Sequence, residues 1–156
     1  MMDLKTVCLQ FCSTYEMLDF VQLASDHLGR LAGLDDDDLH WVSVAVRESV
    51  INAIKHGNAG DEEKQVYVEF TPLNSSRPSG IAIRVRDEGP GFDPADVPDP
   101  LAAENVLKSS GRGILIMRSF MDEMVLQRAP EGGMEVVMVK RVRAAETDPS
   151  HLLPSE

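Results

Sequence analysis

Glu48, Asn52 and His56 recur at intervals of four within the segment ESVINAIKHG, which ends at Gly57. On an α-helix that spacing turns each residue by about 40° from the last, so all three share one face and can converge on one ligand. An Asn carbonyl oxygen suits hard Mg²⁺, which keeps several waters and takes further ligands from substrate phosphates. A Glu one turn earlier can orient or deprotonate a nucleophile close to a terminal phosphate. The alternative for this segment taken alone is three polar residues on a solvated helix face.

Two later segments carry compatible chemistry. Asp87 has the parity of Ile81, Ile83 and Val85, so on a continuing strand its carboxylate points to the apolar side and needs a donor. A carboxylate accepts from the exocyclic amino group of adenine but has no donor for the carbonyl oxygen of guanine, which points to ATP over GTP. Gly89 and Gly91 follow and leave room for close backbone approach to a base. Gly111 and Gly113 precede an apolar stretch and open a helix whose free N–H groups can meet phosphates. Each glycine segment by itself is ordinary turn chemistry.

The elements that must position these residues are legible in the patterning. Residues 5–11 alternate as a first strand, and Thr14 caps a helix over 15–31 that stops at Ala32-Gly33. Asp35 to Asp38 favour the positive end of a second helix, whose apolar stripe is Leu39, Val42, Val46, Val50, Ala53 and Ile54. Strands follow around 66–70 and 81–85, joined by the loop LNSSRPSG. Residues 89–110, rich in Pro, Gly and Asp, read as a cover over a site. Ile114, Met117, Phe120 and Met121 mark a third helix, and strands at 124–127 and 134–142 flank the turn Pro130-Glu131-Gly132-Gly133. This order predicts an α+β two-layer sandwich over 1–143, a mixed, mainly antiparallel sheet covered on one face by helices, with a polar tail at 144–156.

Composition narrows the partners. A formal net charge of −11 across 156 residues argues against nucleic acid, whose binding is driven by Lys and Arg. No apolar run reaches the ~20 residues that span a bilayer, and the opening MMDLKTVCLQFC lacks signal-peptide features, so a cytoplasmic location without membrane attachment is expected. Cys8 and Cys12 have no second cysteine pair and are expected to be reduced thiols.

The three segments in this order, ExxxNAxxHG from Glu48 to Gly57, VRDEGPGFD from Val85 to Asp93 and SGRGILIMRSFMDEM from Ser110 to Met124, resemble the GHKL superfamily of ATP-binding domains with the Bergerat fold. Within it the chain resembles bacterial anti-sigma factor serine kinases over nearly its whole length. The resemblance implies Asn52 as the Mg²⁺ ligand, Glu48 as the catalytic base, Asp87 as the adenine anchor and Gly89, Gly91, Gly111 and Gly113 around the nucleotide, with His56 and Gly57 completing the first segment. It further implies transfer of the ATP γ-phosphate to a Ser or Thr of a STAS-fold anti-anti-sigma partner, and sequestration of a sigma factor by a homodimer. Where such kinases often place an Arg before the last Ser-Gly, this chain has Ser109, which leaves Lys108 or Arg112 to neutralise the γ-phosphate.

Two other functions compete. In one, nucleotide only sets the shape of a protein-binding surface and no phosphate moves. In the other, the chain is a stand-alone histidine-kinase-type ATPase domain. For the latter, neither His27 nor His40 is followed by the acidic residue and Pro usual in phosphoacceptor helices. Neither a P-loop segment nor the Phe of a DFG motif is present.

Overall fold

Alternation at period two places Val66, Val68 and Phe70 on one side of β2 (Gln65–Pro72) and Ile81, Ile83 and Val85 on the same side of β3 (Gly80–Arg86). All six are buried in the computed structural model, which describes residues 5–74, 76–91 and 118–143. Burying a side chain of this size stabilises by about 1.5–3 kcal/mol. These strands therefore supply the floor of the core. Beyond β3 the sheet does not continue in chain order: β5 (Met134–Arg141) pairs with β3, and β4 (Glu123–Arg128) takes the outer edge. With β1 (Val7–Cys12) on the opposite edge, the order is β1-β2-β3-β5-β4. The sheet expected to be mixed is antiparallel at each of these pairings.

Two helices cover one face. Residues expected to begin the first helix form a 3₁₀ turn, Tyr15–Met17, where Thr14 Oγ1 accepts from the Glu16 N–H at 3.1 Å. Helix α1 (Leu18–Leu31) follows and packs beside α2 (Asp36–Asn52), which lies over β3 and β5. The whole apolar stripe expected for the second helix, from Leu39 to Ile54, is buried.

The four aspartates divide their roles. Asp35 caps α2, its Oδ1 accepting from the Asp38 N–H at 2.9 Å, and Asp36 and Asp37 sit exposed in the first turn. Asp38 is instead buried, 3.7 Å from Lys140 Nζ, and accepts from Arg143 at 3.4 Å. Lys140 also donates to the Phe120 carbonyl at 2.8 Å, and the Phe120 ring stacks on Trp41 with centroids 3.7 Å apart. Residues 118–120 are the described part of the expected third helix, and these contacts fasten them to the start of α2.

The opposite face of the sheet is polar at its centre. Arg84 donates to Glu135, and to both oxygens of Glu131 at 3.0 and 2.9 Å, while Arg86 lies 3.8 Å over the Tyr67 ring. Burial pulls the Arg84 guanidinium down, but its bonds to Glu135 and Glu131 outweigh that and hold it above its ordinary value. The bond from Arg84 holds the Glu131 carboxyl below the usual carboxylate range. From residue 92 onward the expected cover lies outside the described residues, as does the tail.

Candidate nucleotide site

Helix α2 does not end as an ordinary α-helix. After Asn52 the chain passes into a π turn, Ala53–Gly57, closed by the Asn58 N–H donating to the Ala53 carbonyl at 2.8 Å. A π turn inserts extra backbone into a helical repeat and occurs often at functional sites. Glu48 and Asn52 remain one regular turn apart on α2, but the four-residue spacing to His56 no longer has its α-helical meaning. His56 is exposed.

Asn52 shows a feature that spacing alone does not provide. Its Oδ1 is buried and accepts no hydrogen bond. A buried amide oxygen left unpaired costs about 1–3 kcal/mol, so such an atom calls for a partner the chain does not supply. Its hard, neutral oxygen has the chemistry of an Mg²⁺ ligand, and the residue present fits that ion. Glu48 is half-buried and makes no hydrogen bond or ion pair, which leaves its carboxylate available as a base.

Asp87 lies at the end of β3 and is 6 % exposed, as its parity predicts. Its Oδ1 accepts from the Gly89 N–H at 2.9 Å and the Met134 N–H at 3.1 Å, and its backbone N–H donates to the Met134 carbonyl. Its other oxygen, Oδ2, accepts no hydrogen bond. One oxygen is thus fixed by the protein while the other is available to an outside donor such as an amino group on a base.

The glycines meet a constraint different from the one their spacing suggests. A Cβ at Gly57 would collide with the Asp87 carboxylate, and one at Gly89 with the Gly57 carbonyl. Both therefore clear space for the protein's own chain, so that the end of α2 can sit against the end of β3. Gly91 follows with a φ of 65°. Lys108, Gly111, Arg112 and Gly113 lie outside the described residues.

Two further residues shape this corner. Gly133 adopts a φ of 81°, and a Cβ there would run into the Asp87 carbonyl and carboxylate. The double glycine 132-133 signalled the turn, but its contact with Asp87 depends on β5 lying beside β3. Asn58, fully buried, donates to Ser13 Oγ at 2.6 Å and the Gln65 carbonyl at 3.0 Å, and accepts from the Glu88 N–H at 2.8 Å. As the residue after Gly57, it lies just outside the first of the three segments.

The chain is similar to known proteins over most of its length. The model of the histidine kinase-like ATPase domain matches residues 14–140. The anti-sigma F factor of Oceanobacillus iheyensis is 34% identical over 113 residues, 71% of this chain and 75% of that protein. The serine-protein kinase RsbW of Listeria monocytogenes is 23% identical over 151 residues, 91% of this chain and 90% of that one. A crystal structure of the RsbU and RsbW domains of a Mycobacterium tuberculosis protein superposes with a TM-score of 0.61 at 17% identity, covering 91% of this chain and 34% of that longer one. The chain belongs to the histidine kinase-like ATPase family, in the group that holds the anti-sigma serine kinases, and its α+β sheet is the fold of that group.

Proposed function

We propose that this protein is an ATP-dependent serine/threonine kinase that acts as an anti-sigma factor and phosphorylates a STAS-fold anti-anti-sigma partner. The observation that carries the reading is the buried, unpartnered Asn52 Oδ1, one turn after an unpaired Glu48 on the helix that ends against Asp87. Asp87 Oδ2 accepts from the adenine amino group, while the bonds to Oδ1 hold the carboxylate still. Asn52 would hold Mg²⁺, with His56 and Gly57 close to it in the chain. Bound Mg²⁺ neutralises charge on the phosphates.

Glu48 takes the proton of the partner's hydroxyl as that oxygen attacks the γ-phosphorus; the bond from the γ-phosphorus to the bridging oxygen breaks, and ADP leaves. Gly89, Gly91, Gly111 and Gly113 border the nucleotide, and Lys108 or Arg112 contributes positive charge. A cytoplasmic homodimer that holds a sigma factor completes the proposal. No described helix is long and apolar enough to cross a membrane.

The test is titration of the purified protein with ATP and GTP, with and without Mg²⁺, then transfer of labelled phosphate to STAS-domain candidates. Selective ATP binding, with transfer to a Ser or Thr that Glu48→Ala abolishes, is expected. Tight binding without transfer points instead to a nucleotide-gated binding module, and absence of binding overturns the site.

A further inference from the structure

We infer that Asn58 is a positioning residue for adenine selectivity, acting through the backbone of Glu88 to hold Asp87 where its free oxygen can read a 6-amino group. The inference rests on the assignment of Asp87 given above and extends it to a residue outside the recognised segments.

Asn58 is the most completely engaged polar side chain near the site. It is fully buried, and its amide makes three hydrogen bonds to three parts of the chain. Its Nδ2 donates to Ser13 Oγ, just after β1, and to the Gln65 carbonyl at the start of β2. Ser13 Oγ in turn donates to the Lys64 carbonyl at 2.9 Å. Its Oδ1 receives the N–H of Glu88, the residue between Asp87 and Gly89.

Position makes this bond specific to recognition. Asn58 directly follows Gly57, whose missing Cβ is what lets the Asp87 carboxylate lie against the end of α2, and the Gly57 carbonyl faces Gly89. The short run Asp87-Glu88-Gly89 is thus held on several sides: Asp87 Oδ1 accepts from the Gly89 and Met134 N–H groups, Glu88 Oε1 accepts from the Gln65 N–H, and Asn58 Oδ1 accepts from the Glu88 N–H. A carboxylate discriminates between an amino group and a carbonyl oxygen only if its free oxygen cannot swing away. Losing the bond to Glu88 removes the side-chain contact on the peptide next to Asp87, so the plane of the Asp87 carboxylate is held less tightly. Phosphate recognition, which uses other residues, is untouched.

The experiment compares ATP with inosine triphosphate, which carries a carbonyl oxygen where adenine carries its amino group, by calorimetric titration in the presence of Mg²⁺. Wild-type protein is expected to prefer ATP. In Asn58→Ala the ATP affinity falls by roughly tenfold, the worth of about one hydrogen bond expressed as affinity, while that for inosine triphosphate stays within about twofold. Asn58→Ser keeps a hydroxyl at this buried position but is one atom too short to reach the Glu88 N–H. It is expected to show the same selective loss of ATP affinity, which keeps the test decisive even if the Ala variant does not fold.

A merely structural Asn58 predicts the reverse pattern: lowered melting temperature with an unchanged ATP-to-inosine preference in both variants, or an equal loss for both nucleotides. Either result overturns the inference while leaving Asp87 as the adenine reader. A wild-type protein that binds both nucleotides alike overturns the Asp87 assignment and this inference together.

Discussion

The two faces of β3 hold two polar clusters within a few residues of each other, and the clusters are built on opposite principles. On the open face, Arg84 is surrounded by Glu69, Glu131 and Glu135, and Gln127 donates to Glu135 at 2.8 Å. That cluster answers its own charges. On the helix side, Asn52 Oδ1 is buried without a partner, Asp87 Oδ2 accepts nothing and Glu48 makes no ion pair. Buried polar groups are ordinarily hydrogen-bonded, so open groups on α2 and at the end of β3 are where the proposed nucleotide and its metal ion would find partners. Charge alone does not separate the two clusters, since both are rich in carboxylates. Satisfaction does.

The comparison breaks most visibly at Glu48. Glu48→Gln keeps shape and removes the base, so phosphate transfer is expected to fall by about 10²–10⁴-fold while Mg-ATP affinity holds. A radiolabel transfer assay on a partner substrate reads it, and undiminished transfer removes Glu48 from the chemistry. Next is Asn52→Ala, which deletes an atom that has no partner in the ligand-free protein. The Mg²⁺-dependent share of ATP affinity disappears, while the ligand-free melting temperature does not fall. A variant that melts much lower and still binds Mg-ATP shows Asn52 to be a structural residue.

On the satisfied side the expectation inverts. Arg84→Met leaves the buried Glu135 carboxylate without its main partner and lowers stability by about 2 kcal/mol, a figure reduced for the partial exposure of Arg84. ATP affinity below the transition is unchanged, and a large loss of it in urea-free titrations shows the two clusters to be coupled. Asp87→Asn keeps an acceptor for the Gly89 and Met134 N–H groups but can present an amide donor in place of Oδ2. ATP affinity is expected to drop by roughly tenfold, with a relative gain for inosine triphosphate.

The smallest effect is at Glu131. Because Arg84 holds this carboxyl below its ordinary 4.5, the contribution is complete above that pH and is lost as pH falls through the lower folded-state value. Glu131→Gln should flatten that part of an acid unfolding curve, and an unaltered acid limb means that the exposed pair contributes nothing.

Much of the scaffold was legible. The parity of Val66, Val68 and Phe70 and of Ile81, Ile83 and Val85 predicted the buried side of β2 and β3, and continuing it by one residue pair predicted the burial of Asp87. The stripe from Leu39 to Ile54 predicted the side of α2 that packs on the sheet. The π turn was not legible, because a helical periodicity reads the same up to Asn52 whether or not the next turn widens. The burial of Asp38 follows from its place four residues before Val42 on that stripe, but its partner Lys140, about a hundred residues later, was not legible.

The sequence by itself determined the types of group available for chemistry and the elements that carry them, because side-chain chemistry and local periodicity are properties of neighbours in the chain. Only the tertiary structure decided which of those groups find partners. The placement of β5 beside β3 brings Met134 and Gly133 to Asp87, and the π turn brings Gly57 and Asn58 to the same corner. Hydrogen-bond satisfaction is settled by contacts between residues far apart in sequence, so the open oxygens of Asn52 and Asp87 exist only in the folded chain.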